Sequence, residues 1–128
     1  MAEMKISDLS IGDWVAYNGK KYRIKEISSP YATVTLWGNN EQRDESIVLI
    51  EPIPLTPEIL EKNGFEELMG KFWVGHNHYC HIQQHSSSWT LLSNKRGFYR
   101  TIRLESLEFV HELQHALRLA GVEKEIEV

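Results

Sequence analysis

His111-Glu112-Leu113-Gln114-His115 has the HExxH spacing of zinc metallopeptidases. On a helix, two imidazoles four residues apart share a face and can chelate one zinc ion, while the glutamate between them takes a proton from the metal-bound water. In that chemistry Glu112 is the catalytic residue, and His111 and His115 are the first two ligands. A third protein ligand and a cleft are also needed. Glu123, Glu125 and Glu127 follow in the sequence, and their spacing favours none of them. On a helical wheel centred on Leu113, the residues Phe109, Val110, Ala116, Leu117 and Ala120 gather into one apolar face. His111 and His115 fall together on the opposite side, beside Glu108 and Arg118. The expectation is a solvated histidine pair, with a zinc-dependent hydrolase as the alternative.

A second set of candidate ligands lies in residues 75–85 (GHNHYCHIQQH). In an extended strand His76, His78 and Cys80 share a face with Phe72, Val74 and Ile82. Two imidazoles and a thiol are zinc ligands by type. Successive residues on one face of a strand stand about 6.5–7 Å apart, however, so three in a row rarely close around one ion. The plainer expectation is that Cys80 belongs to the core and the histidines form a polar rim. Nothing in the spacing sets a base beside Cys80 for nucleophilic work.

A third pattern is suited to binding rather than catalysis. Lys21, Arg23 and Lys25 alternate with Tyr22 and Ile24, and Tyr31, Thr33, Thr35 and Trp37 alternate with Ala32, Val34 and Leu36. If the two outward faces coincide, Lys21, Arg23, Lys25, Tyr31 and Trp37 form a basic strip beside exposed rings. Single-stranded nucleic acid binds such surfaces through phosphate contacts and base stacking, and small barrels hold peptides in aromatic grooves. The competing expectation is a solvated sheet face with Trp37 covered by the second half of the chain. Glu41, Asp44 and Glu45 lie close enough in sequence to blunt the positive potential. Trp14, Trp73 and Trp89 read as core aromatics.

The elements that must position these groups follow from pattern and turn chemistry. Residues 13–18 (DWVAYN) and 20–27 (KKYRIKEI) flank Asn18-Gly19, a type I′ hairpin signal. Residues 31–37 (YATVTLW) alternate as a strand, 38–46 (GNNEQRDES) read as a polar loop, and 46–51 (SIVLIE) as a further strand. The prolines of residues 52–57 (PIPLTP) end this sheet. Thr56 and Pro57 cap and open a short helix that Gly64 closes. Three strands are then expected over residues 71–83, 88–93 and 97–104, with turns at Ser86-Ser87-Ser88 and at residues 94–97 (NKRG). Ser106 is expected to cap a last helix running to about Ala120.

Three segments, LSIGDWVAYNGKKYRI, IEPIPLTPEILEKNGFE and LEFVHELQHAL, together resemble a family of small uncharacterised proteins of Bacteroides-type gut bacteria and their prophages. The likeness spans nearly the whole chain, and PIPLT before a short helix is its most specific part. It implies an intracellular protein of mobile-element character, and no activity or catalytic residue carries over. The family pattern reads VHxLQN at the last helix. His115 stands where that pattern has Asn, so the pattern does not require a second histidine.

Composition bounds the remaining classes. The chain has 128 residues, 41% of them hydrophobic and 25% charged, with a formal net charge of -4. That balance speaks against a generally basic nucleic-acid binder while leaving room for a local basic patch. One cysteine excludes an internal disulfide framework and a CxxC zinc site. No apolar leader and no membrane-length apolar run are evident, which points to a cytoplasmic protein without membrane contacts. The expected fold is α+β: an SH3-like β-barrel over residues 1–52 packed on a helix–three-strand antiparallel sheet–helix unit over residues 53–128. The expected role is non-catalytic binding or assembly with a protein or nucleic-acid partner and no cofactor, zinc being the one metal considered.

Overall fold

The computed structural model describes residues 5–74, 80–93 and 102–128. It is an α+β structure that divides into two compact units, Met1–Pro54 and Leu55–Val128.

The described residues of the first unit form one antiparallel sheet. Its strands are β1 (Trp14–Tyr17), β2 (Lys20–Ser28), β3 (Thr33–Gly38), β4 (Glu41–Ser46) and β5 (Glu51–Pro52), in the order β4-β3-β2-β1-β5. Asn18 (φ 50°) and Gly19 (φ 76°) make the expected β1–β2 turn, with both central residues in the left-handed region. The 38–46 segment is not a loop. Asn39 (φ 53°) and Asn40 (φ 61°) repeat the same turn chemistry, and six charged or polar residues after them pair with β3. The composition of β4 marks an edge strand, where charged side chains discourage further pairing. Gly38 lets this hairpin lie close to β2, because a Cβ there would sit 3.0 Å from the Lys21 carbonyl oxygen. The expected strand over 46–51 is instead a 3-10 turn, Ile47–Leu49, followed by the two-residue β5. Ile47 and Ile50 turn inward to join Val15, Tyr22, Ile24, Val34 and Leu36 in the core.

A bulge changes the face assignment of β2. Ile24 pairs with Leu36 and Glu26 with Thr35, so Lys25 is the extra residue. Without it, strict alternation would turn Ile27 outward. With it, Ile27 packs against the core and Glu26 moves to the outer face.

In the second unit, α1 (Pro57–Lys62) begins as expected: the Thr56 hydroxyl accepts from the Ile59 N–H at 3.3 Å. Among the described residues five strands follow rather than three: β6 (Phe65–Leu68), β7 (Lys71–Val74), β8 (Cys80–His85), β9 (Ser88–Ser93) and β10 (Ile102–Leu107), in the order β10-β9-β8-β7-β6. β6 escapes a periodicity reading because FEEL offers a single buried residue, Phe65, and a tight Met69-Gly70 turn supplies its pairing to β7. The strand expected over 71–83 is two strands, and residues 75–79 between them lie outside the described set, as does the NKRG turn. Ser106 does not cap the last helix. It sits at the β10 irregularity with φ 63°, and α2 (Val110–Leu119) starts after Phe109. Trp89 is buried as expected, edge-on to Phe72 at 5.8 Å, and its indole N–H donates to the Leu55 carbonyl. Trp14 and Trp73, expected in cores, are only half-buried.

Candidate functional site

The HExxH segment lies on α2, with Val110, Leu113, Ala116 and Leu117 forming its buried stripe. Glu112 occupies the third helical position and reaches back to the helix start. Its carboxylate accepts from the Glu108 and Phe109 N–H groups, both at 3.0 Å. That arrangement satisfies backbone donors which a helix leaves unpartnered, and it places negative charge at the positive end of the dipole. His111 is a correction: it is 6% exposed, not solvated. The residue misplaced by the wheel is Phe109, whose extended backbone (φ -125°, ψ 157°) takes it off the helix. The Phe109 ring then stacks on the His111 imidazole, 6.0 Å between centroids and 7° between planes. His115 meets His111 edge-on at 5.8 Å.

The glutamates after the helix do not gather at this pair. The Glu127 N–H donates to the Asn63 side-chain oxygen, and the Glu127 carbonyl accepts from the Asn63 amide, both at 2.7 Å. Among the described residues, no three His, Cys, Asp or Glu side chains come together as a metal-binding group.

His76 and His78 lie outside the described residues. Cys80 begins β8 opposite Ser93 and is fully buried, and desolvation pushes its thiol up to about 11. A thiol so placed is a core group rather than a nucleophile. His81, on the opposite face of β8, tilts against Trp73 at 4.6 Å, and burial with nearby Lys71 holds its basicity below the ordinary value.

The outer face of the first sheet does bring candidate residues together. Arg23 pairs across the ladder with Trp14 on one side and Trp37 on the other, and Gln42 continues the row on β4. The Arg23 guanidinium lies over the Trp14 ring at 5.0 Å, a cation–π contact. Trp37 is 51% exposed, a large apolar area for a surface ring. Lys21 and Lys25 are exposed nearby, and the Lys25 ammonium donates to the neutral Gln42 side chain at 2.8 Å. Tyr31 is exposed but precedes β3, and Ala32 between them has φ 49°, so it is not part of this row.

The next row along the strands has opposite character. Glu26, Thr35 and Asp44 pair across β2, β3 and β4, and the Thr35 hydroxyl donates to Asp44 at 2.6 Å. These three help line a depression of about 330 Å³ with Ser28, Thr33 and Ser46. Neither Glu26 nor Asp44 enters an ion pair among the described residues.

The other side of the same hairpin holds a closed polar network. The Tyr22 hydroxyl donates to Glu41 at 2.5 Å, and Arg43 bonds Glu45 at 2.9 Å while lying over the Tyr17 ring at 4.9 Å. The Tyr22 hydrogen bond holds the Glu41 carboxyl below its ordinary value and raises the phenol above its own. These charges support the hairpin and do not face the Trp37 row.

Sequence reasoning missed Trp14 and Glu26 as members of this face. Trp14 had a signal in the strict alternation of residues 14–17, which puts it opposite Val15. Glu26 had none, because its outward turn depends on the bulge. Comparison with known protein families, with curated proteins and with solved structures finds no match to this chain. Among the described residues, no helix is long and apolar enough to cross a membrane.

Proposed function

We propose that this chain is a non-catalytic binding or assembly protein that engages a partner through the outer face of its first sheet. The observation that carries this reading is the Trp14–Arg23–Trp37 row with half of the Trp37 surface in solvent. Tryptophan and arginine are both among the residue types enriched where interfaces concentrate their energy. Glu112, by contrast, is engaged in starting α2, which favours a binding role over zinc hydrolysis.

The strand order β4-β3-β2-β1-β5, the bulge in β2 and the 3-10 turn before a very short β5 support an SH3-like assignment for this unit. Such barrels share the wrapping of one bent sheet around a small core. The resemblance to small proteins of Bacteroides-type bacteria and their prophages supports a cytoplasmic, mobile-element setting.

A photoreactive amino acid at position 37 tests the binding reading in cells. Specific cross-linked adducts are expected there and not at exposed Glu61 on α1. Equal, diffuse labelling at both positions removes the face as a docking site. The second reading, single-stranded nucleic acid, is favoured by Lys21 and Lys25 beside the ring. It requires oligonucleotide affinity that falls steeply with salt and weakens with Arg23→Ala.

A further inference from the structure

The outer face of the first sheet is bipolar, and that limits what can sit on it. One end carries Arg23, Lys21 and Lys25 around Trp37, and the adjacent end carries Glu26 and Asp44 around Thr35. The two ends are neighbouring rows of the same three strands, about 7 Å apart. A polyanion that stacks on Trp37 meets the carboxylates of the next row, and a polycation seated on those carboxylates meets Arg23 and Lys25. The occupant that satisfies both rows has the reverse charge order along the strands.

We infer that the occupant is a second copy of this chain, seated on the same face through a two-fold axis. This rests on the binding role proposed for that face. A symmetric dimer requires a self-complementary surface, in which residue i meets residue j and j meets i. Let the axis lie in the interface, at right angles to the strands and midway between the two rows. The half-turn then sets each β2 over β2 of the second copy with the rows exchanged. Arg23 stands opposite Glu26 of the second copy, and Trp37 stands opposite Thr35 of the second copy. Lys25, whose ammonium is held over β4 by Gln42, stands opposite Asp44 of the second copy. Each of these pairs occurs twice. The alternative axis, along the strands, sets Glu26 against Asp44 and is disfavoured by like charge.

The bulge at Lys25 makes the arrangement possible. With regular alternation, Ile27 would occupy the outer face and Glu26 would turn inward, removing the carboxylate that faces Arg23. The face is small, so the dimer belongs with weak, reversible interfaces and depends on salt.

Sedimentation equilibrium of the full chain, at low and at high salt, tests the proposal. A monomer–dimer equilibrium in the micromolar range is expected, weaker at high salt. Arg23→Glu alone and Glu26→Arg alone are each expected to weaken association at least tenfold, roughly the effect of a like-charge pair at an interface. Mixing the two variants is expected to restore a heterodimer, because two of the four charge pairs then become complementary again. That rescue keeps the test independent of any folding defect in one variant. A chain that stays monomeric up to millimolar concentration overturns the dimer, as does association that both variants leave unchanged. The position-37 cross-linker then separates the two ideas. Adducts of other mass keep the docking face with a different partner, and no adducts remove both.

Discussion

The α2 helix and the outer face of the first sheet both carry residue types associated with function, yet they use them in opposite ways. On α2 the suggestive groups are absorbed by the fold. Glu112 closes the helix start, His111 stacks beneath Phe109, and Leu113 anchors the buried stripe. On the sheet, the core contacts of β2 and β3 are met by Tyr22, Ile24, Val34 and Leu36, and the opposite face is left to Arg23, Trp37, Glu26 and Asp44. The difference shows why a short motif is weak evidence on its own. A spacing can satisfy a catalytic pattern while its glutamate and first histidine are already committed to local structure.

The strongest way to break this contrast is to truncate one anchor in each region. Leu113→Ala empties a fully buried site and is expected to cost about 2–5 kcal/mol of unfolding free energy. Trp37→Ala, at a half-exposed ring, is expected to change stability by less than about 0.5 kcal/mol. Urea denaturation followed by circular dichroism reads both. A Trp37→Ala loss as large as that of Leu113→Ala would make Trp37 a packing residue and remove the contrast.

Cys80 offers a chemical version of the same comparison. Burial raises its thiol from 9.0 to about 11, which leaves roughly a hundredfold less thiolate at pH 8 than an unperturbed thiol has. Iodoacetamide should therefore modify the folded protein far more slowly than the urea-unfolded chain. Equal rates in the two states would mean that β8 opens readily and that Cys80 is not a settled core group.

Glu112 sharpens the comparison further. As a helix-start residue it should lose about 1 kcal/mol on replacement by alanine, with Gln retaining part of it. Added zinc should leave the melting temperature of the wild type unchanged. Zinc stabilisation that disappears in both His111→Ala and His115→Ala would instead assign the helix to metal chemistry.

The smallest expected effect lies at the polar network on the inner side of β4. The folded state holds the Glu41 carboxyl below its ordinary 4.5, chiefly through the Tyr22 hydroxyl. Its contribution is present above pH 4.5 and disappears as pH falls through the lower folded-state value. Tyr22 works in the other direction. Its phenol is raised above 10.0, so the contribution is present below that pH and is lost as pH rises through the folded-state value. Glu41→Gln should reduce stability at pH 7 and match the wild type in strong acid. A difference between the two proteins that does not change with pH would show that the carboxylate charge is not what matters.

Much of this structure was legible in local signals. Asn18-Gly19 specified a hairpin because few residues tolerate positive φ at both turn positions, and Thr56-Pro57 specified a helix start because a hydroxyl cap and a preset φ act within four residues. The alternation of residues 31–37 put Val34 and Leu36 on one apolar face, and both are buried, although the strand starts only at Thr33 and Ala32 before it has φ 49°. Tertiary structure decided the rest. The β4 strand has no apolar face of its own and exists through pairing with β3, and β6 likewise depends on β7. The outward turn of Glu26 depends on one bulged residue, and buried His111 stacks on Phe109, a ring that helical periodicity would have placed on another face. Turns and caps are settled by the conformational range of neighbouring residues, which the chain carries wherever it goes. Pairing, register and face are settled by contacts between residues distant in sequence, and those exist only once the sheet has formed.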